Sequence, residues 1–131
     1  MKWYIKVLQQ FDDFNGRARR KEYWMFALFN TLFLIVIILL EIVLERVLGI
    51  HLKVLGFSPL SKLYYLVTFV PVLAVTVRRL HDVGKSGWMC LIIFIPLIGF
   101  IWIFVLTVSA GNPGENQYGQ NPKEVTVENE E

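Results

Sequence analysis

Hydrophobic and polar positions divide this chain into long blocks. Tyr23 to Leu40 run eighteen positions without a charge, and Trp88 to Ala110 run twenty-three. Charge-free apolar runs of about eighteen or more residues can cross a bilayer as helices. The pattern predicts a first spanning helix over about 21–48. It enters the apolar region at Tyr23-Trp24, turns amphipathic at Glu41, Glu45 and Arg46, and stops near Gly49. A second is predicted over 59–80. Ser58 is a capping residue and Pro59 occupies the first helical position. Lys62 can snorkel outward, Tyr64-Tyr65 suit an interface, and Pro71 is expected to kink this helix. A third is predicted over 87–110, capped by Ser86, anchored by Trp88 and bent at Pro96 and Gly99. Twenty-three residues cannot cross twice, so three crossings are expected.

Residues 2–11 carry a separate amphipathic pattern. Trp3, Val7 and Phe11 recur every four residues, with Tyr4 and Leu8 beside them and Lys2, Lys6 and Gln9 opposite. This suits a helix lying among lipid headgroups; a packed N-terminal arm is the alternative. Asn15-Gly16 marks a turn. The expected fold class is therefore all-α integral membrane: three transmembrane helices plus an N-terminal interfacial helix. Residues 1–122 form one membrane domain, and 123–131 form a disordered acidic tail.

Composition supports a membrane as the solvent. Of 131 residues, 55% are hydrophobic and only 18% charged, against roughly 25% in soluble domains. A soluble fold this short could not hide so much apolar surface. The single cysteine, Cys90, cannot form an internal disulfide and is expected to be a buried, inert thiol. The first apolar run does not look like a cleaved signal peptide: a basic region of 22 residues precedes it and no small-residue cleavage site follows Leu40.

Charge is unevenly spread. Residues 1–22 hold six basic side chains against three acidic ones, whereas 111–131 hold Lys123 against five glutamates. With three crossings, the basic head and the 78–87 turn share one side. The positive-inside rule puts that side in the cytoplasm and the acidic tail in the periplasm.

Two polar clusters sit at the boundaries of the apolar runs, over 16–22 and 78–88. Part of their chemistry is topology and capping, since arginine and histidine at a helix C-terminus complement its dipole. Asp82 opposes that dipole. It requires a basic partner, either Arg78 or an arginine of the first cluster. If the clusters meet, Arg17, Arg19, Arg20, Lys21, Arg78, Arg79 and Lys85 make a basic patch. Such a patch suits anionic lipid headgroups, at about 1 kcal/mol per basic residue, or an acidic protein partner. Glu22, His81, Asp82, Trp88 and Tyr118 complete the candidate polar cluster.

Other chemistries find little support. His81 and Asp82 are adjacent on a helix and do not face each other, so no catalytic residue is expected. His51 and His81 fall on opposite predicted sides, no ligand spacing suggests a metal, and neither cofactor nor nucleic acid is implied. The apolar runs contain only uncharged polar residues such as Asn30, Thr68 and Thr107, which more often tie helices together than carry ions. An oligomeric channel or transporter subunit remains the alternative to a non-enzymatic interaction or lipid-contacting protein.

The boundary motifs carry a resemblance. They are Phe14-Asn15-Gly16-Arg17-Ala18-Arg19-Arg20-Lys21-Glu22-Tyr23-Trp24, Arg78-Arg79-Leu80-His81-Asp82, Gly84-Lys85-Ser86-Gly87-Trp88, Pro96-Leu97-Ile98-Gly99 and Gly114-Glu115-Asn116-Gln117-Tyr118-Gly119. In this order they resemble the YhaH/YhaI-like bacterial inner-membrane family, domain of unknown function 805, over roughly residues 1–122. The familiar tail pattern often has arginine where this chain has Gln117, which removes a positive charge. The resemblance implies a small protein of the bacterial inner membrane and carries over no catalytic residue.

Overall fold

The computed structural model describes residues 2–49 and 58–124. They form four α-helices: α1 (Lys2–Gln9), α2 (Arg20–Arg46), α3 (Pro59–Asp82) and α4 (Ile98–Val108). A 3-10 helix, Gly87–Phe94, precedes α4. Among the described residues, α2 and α3 are the two helices long and apolar enough to cross a membrane. At 27 and 24 residues they extend about 40 and 36 Å, more than a hydrocarbon core of about 30 Å. Their apolar side chains point mostly outward: Val36, Leu39, Leu66, Val67 and Phe69 are all exposed. Apolar surface on this scale requires a lipid solvent.

The expected third crossing, a continuous helix over 87–110, is not what forms. The chain folds back on itself at Ile95–Leu97. Pro96 has no amide to donate, and Leu97 adopts φ 63° and ψ −57°. Ile98 N bonds to Pro96 O at 2.7 Å across it, a classic γ-turn that few non-glycine residues adopt. The neighbouring amides of Ile95 and Gly99 bond to the carbonyls of Ile92 and Ile95, so the turn satisfies them locally. Gly99 permits the close return, because a Cβ there would overlap Ile92 O. The two arms, 8 and 11 residues long, each extend about 16 Å, half the hydrocarbon thickness.

Both ends of this hairpin abut the last turns of α3. A Cβ on Gly87 would lie 2.6 Å from Val77 Cγ1, while Thr107 O accepts from Arg79 Nε at 3.1 Å and Asn112 N donates to Asp82 O at 2.7 Å. The segment after α4 thus returns to the end of the helix pair where α2 begins. These contacts set the turn before α2 and residues 111–119 at the same end of the α2–α3 pair.

The far end is fastened differently. Ser58 makes no side-chain cap. Glu41, on α2, instead accepts from Leu60 N at 2.8 Å and Ser61 N at 3.1 Å. A carboxylate from one span therefore caps the start of the other, where the helix dipole favours it. Between the two ends, Tyr64 donates to Asn30 Oδ1 at 2.8 Å and lies 3.1 Å from the hydroxyl of Tyr4, linking α3, α2 and α1. α3 continues through Pro71.

The N-terminal helix is a packed arm. Tyr4 and Val7 are buried in a cluster with Ala18, Phe26 and Val75. The inward stripe is Tyr4–Val7–Leu8, not Trp3–Val7–Phe11; Phe11 is half exposed. The acidic tail from residue 125, and residues 50–57 with His51, lie outside the described residues.

Gly99→Ala is expected to open the hairpin, because a backbone carbonyl cannot yield as a side-chain tip can. The variant should lose thermal stability in detergent by about 1–3 kcal/mol. An unchanged melting temperature would show that the two arms do not pack this closely.

Candidate functional site

The polar boundary of the protein is built by three segments that are far apart in sequence. The turn before α2 supplies Arg17, α3 ends in Arg78, Arg79, His81 and Asp82, and the chain after α4 supplies residues 111–119. Backbone pairing sets the register of the first two: Ala18 N donates to Arg78 O at 3.0 Å. Gly84, at φ 76°, ends α3 in a conformation that glycine favours.

Asp82 is the centre. Arg17 Nε donates to its Oδ1 at 3.0 Å, and Arg79 Nη1 donates to Oδ2. Its side chain is 3% exposed, and those of Arg17 and Arg79 are 1% and 0% exposed. The expected partner of Asp82 was Arg78 or an arginine of the first cluster; the structure supplies Arg17 and Arg79. Arg78 turns instead to Glu22 Oε1 at 2.6 Å and Gln10 Oε1 at 2.9 Å. Lys6 donates to the other Glu22 oxygen at 3.2 Å. The sequence clusters therefore meet, as two buried ion-pair centres side by side.

At this boundary three buried arginines face two buried carboxylates; backbone carbonyls take up the remaining donors of Arg17 and Arg79, while Arg78 Nε and Nη2 have no partner among the described residues. Arg17 donates to Asn112 O at 2.7 Å, Gly114 O at 2.8 Å and Gly119 O at 3.2 Å. Arg79 donates to Ala18 O, Thr107 O and Ser109 O. Arg20 and Trp24 reach Val108 O and Thr107 O at 3.2 Å each. The C-terminal carbonyls of α4 are thus capped by cationic and indole donors from α2 and α3, as the helix dipole favours. A small residue is required where the tail passes: a Cβ on Gly111 would overlap the Asp82 carboxylate.

His81 does not pair with Asp82. Its Nδ1 lies 3.0 Å from Gly16 O, and its ring stacks on Tyr118 with centroids 3.9 Å apart and planes 2° apart. Asn116 Nδ2 donates to His81 O at 2.9 Å. Tyr118 therefore locks the tail to α3. Trp88 stands apart from the ionic cluster at 80% exposure, although its amide is capped by Ser86 as expected.

The candidate basic patch divides in two. Arg17, Arg78 and Arg79 are buried within the ion-pair network, whereas Arg20, Lys21 and Lys85 are exposed and Arg19 is half-buried. Sequence reasoning passed over Lys6, Gln10, Gly111, Asn112 and Asn116, which complete the site. Nothing in the sequence directs Gly111-Asn112 to Asp82.

The fold and this boundary define a small helical membrane protein, two apolar spans joined at one end by a buried arginine–carboxylate clasp. The chain belongs to the family described as "Protein of unknown function (DUF805)", whose model matches residues 11–120. It is 46% identical to the Inner membrane protein YhaH of Escherichia coli (strain K12) over 123 residues, covering 94% of this chain and 98% of that protein. It is 44% identical to the Inner membrane protein YhaI of the same strain over 123 residues, covering 94% and 97%. No solved structure matches the chain.

Asp82→Asn is expected to cost about 3–5 kcal/mol of stability, because Arg17 and Arg79 would remain buried without their carboxylate. Thermal unfolding in detergent measures this. A variant as stable as the parent would show that the backbone carbonyls alone hold the two arginines.

Proposed function

We propose that this is a non-enzymatic inner-membrane protein that gathers anionic lipid headgroups at its basic end, with that end in the cytoplasm. One cluster carries the reading. The cationic groups of Lys2, Lys6, Arg19 and Lys21 all lie 5.4 to 5.7 Å from the centre of the Trp3 ring. Of these four, Lys6 alone has a carboxylate partner among the described residues. Arg19 Nε is buried without a hydrogen-bond acceptor. Cations crowded around an indole without counter-charge attract phosphate, and tryptophan with flanking basic residues is the usual furniture of a membrane interface.

The exposed members of the sequence-derived patch, Arg20, Lys21 and Lys85, together with Arg19, supply the headgroup-facing charge. Arg17, Arg78 and Arg79 serve the clasp. Catalysis is disfavoured by the commitments of His81 and Asp82 to different partners. A channel is disfavoured because Asn30, Tyr64 and Tyr4 bond to one another between the helices and line no open path. The cytoplasmic placement rests on the distribution of basic residues. All the lysines and arginines except Arg46, Lys53 and Lys62 belong to segments at the clasp end.

The combined variant Lys2→Gln, Arg19→Gln, Lys21→Gln should bind phosphatidylglycerol about a hundredfold more weakly, at about 1 kcal/mol per removed charge. Native mass spectrometry of the protein titrated with that lipid gives the affinity; equal affinity would remove the basis of the proposal. Reporters fused to each terminus should both report the cytoplasm. A periplasmic signal from either would overturn the orientation.

A further inference from the structure

A second feature lies behind the clasp and has a different chemistry. Phe14 and Asn15, Leu73, Val77 and His81 of α3, the hairpin's first arm from Ser86 to Leu91, and Tyr118 enclose a cleft of 580 Å³. That is the size of a small-molecule site, far larger than one water requires. Its lining contains no lysine, arginine, aspartate or glutamate. The walls are mostly apolar, and the polar side chains are those of Asn15, His81, Ser86 and Tyr118, with the Cys90 thiol.

His81 gives the cleft a direction. A carbonyl can only accept, so the contact with Gly16 O places the proton of the neutral ring on Nδ1. Nε2 is then a bare acceptor. It has no partner among the described residues, although His81 is only 7% exposed. It faces Gly87, where a Cβ would stand 3.4 Å away, and Gly87 itself lines the cleft. The Tyr118 stack fixes the ring in this orientation. An acceptor held in place on the wall of an apolar cleft, and open to it, can take a donor from outside the chain.

We propose that this cleft binds a membrane amphiphile with an uncharged, hydroxyl-bearing headgroup, such as a monoacylglycerol. One hydroxyl donates to His81 Nε2, while Asn15 and Ser86 offer partners for a second. The acyl chain lies against Leu73, Val77 and Leu91. Trp88, exposed at the rim, sits where a chain would enter from the bilayer. The absence of charged side chains in the lining selects against phosphate. This site is therefore independent of the basic cluster around Trp3.

Cys90 is the single cysteine and lines the cleft, so it reports occupancy. The full chain in detergent is alkylated with N-ethylmaleimide in the presence of 1-monooleoylglycerol, methyl oleate or phosphatidylglycerol. Monooleoylglycerol should slow alkylation at least tenfold and the other two should not. Leu73→Trp, which fills the cleft without touching the clasp, should abolish this protection, and His81→Phe should make monooleoylglycerol no better than methyl oleate. The Lys2, Arg19, Lys21 triple glutamine variant should keep the protection, which separates this site from headgroup binding at Trp3. Equal protection by all three lipids, protection that survives Leu73→Trp, or protection lost in the triple variant would overturn the proposal.

Discussion

The carboxylate of Asp82 is the constraint on which the polar end of this protein depends. It lies at the C-terminus of a helix, where the backbone already presents partial negative charge. It is tolerable there because Arg17 and Arg79 approach it from two sides. Each arginine is then committed beyond Asp82. Arg17 holds the carbonyls of Asn112, Gly114 and Gly119, and Arg79 those of Thr107 and Ser109. One acidic side chain thereby fixes the turn before α2, the end of α3, the return of α4 and the tail. Buried ion pairs are poor sources of net stability, since desolvation consumes much of the Coulombic gain. Their value here is specificity: few other arrangements of these segments satisfy Arg17 and Arg79 at once.

The two ends of the α2–α3 pair solve one problem with opposite signs. At the clasp end, cationic side chains cover the exposed carbonyls that terminate α4. At the far end, the carboxylate of Glu41 covers the exposed amides that start α3. In a soluble protein water would serve many of these groups. In a bilayer the chain must supply the partners itself, which accounts for acidic and basic residues within or beside segments that are otherwise almost wholly apolar.

Much of this was legible in the sequence. α2 and α3 follow from their apolar runs, Gly84 ends its helix as expected, and the two polar clusters do come together. That Asp82 requires a basic partner was readable from the helix dipole; which arginines supply it, Arg17 and Arg79, was not. The hairpin was not. Twenty-three uncharged residues satisfy the length criterion for a span, and hydropathy has no term for a chain that turns back on itself. Pro96 and Gly99 announced an irregularity, yet a kink and a reversal differ by the geometry of Leu97, whose positive φ carries no compositional mark. The basic patch was misjudged for a related reason. Composition counts Arg17, Arg78 and Arg79 as surface charge, whereas contacts with Asp82, Glu22 and backbone carbonyls draw them inside.

The hairpin also bears on how the chain enters a membrane. A third crossing would oblige the cell to export everything after α4, with five glutamates moving through the bilayer. In the proposed topology the chain dips in and comes back, so only the twelve residues 47–58 between the two spans would be carried to the other side. That connection holds one lysine and no acidic residue. On that proposal, biogenesis would be the insertion of a single helical pair, with the clasp forming afterwards from segments that stay in the compartment in which they were made.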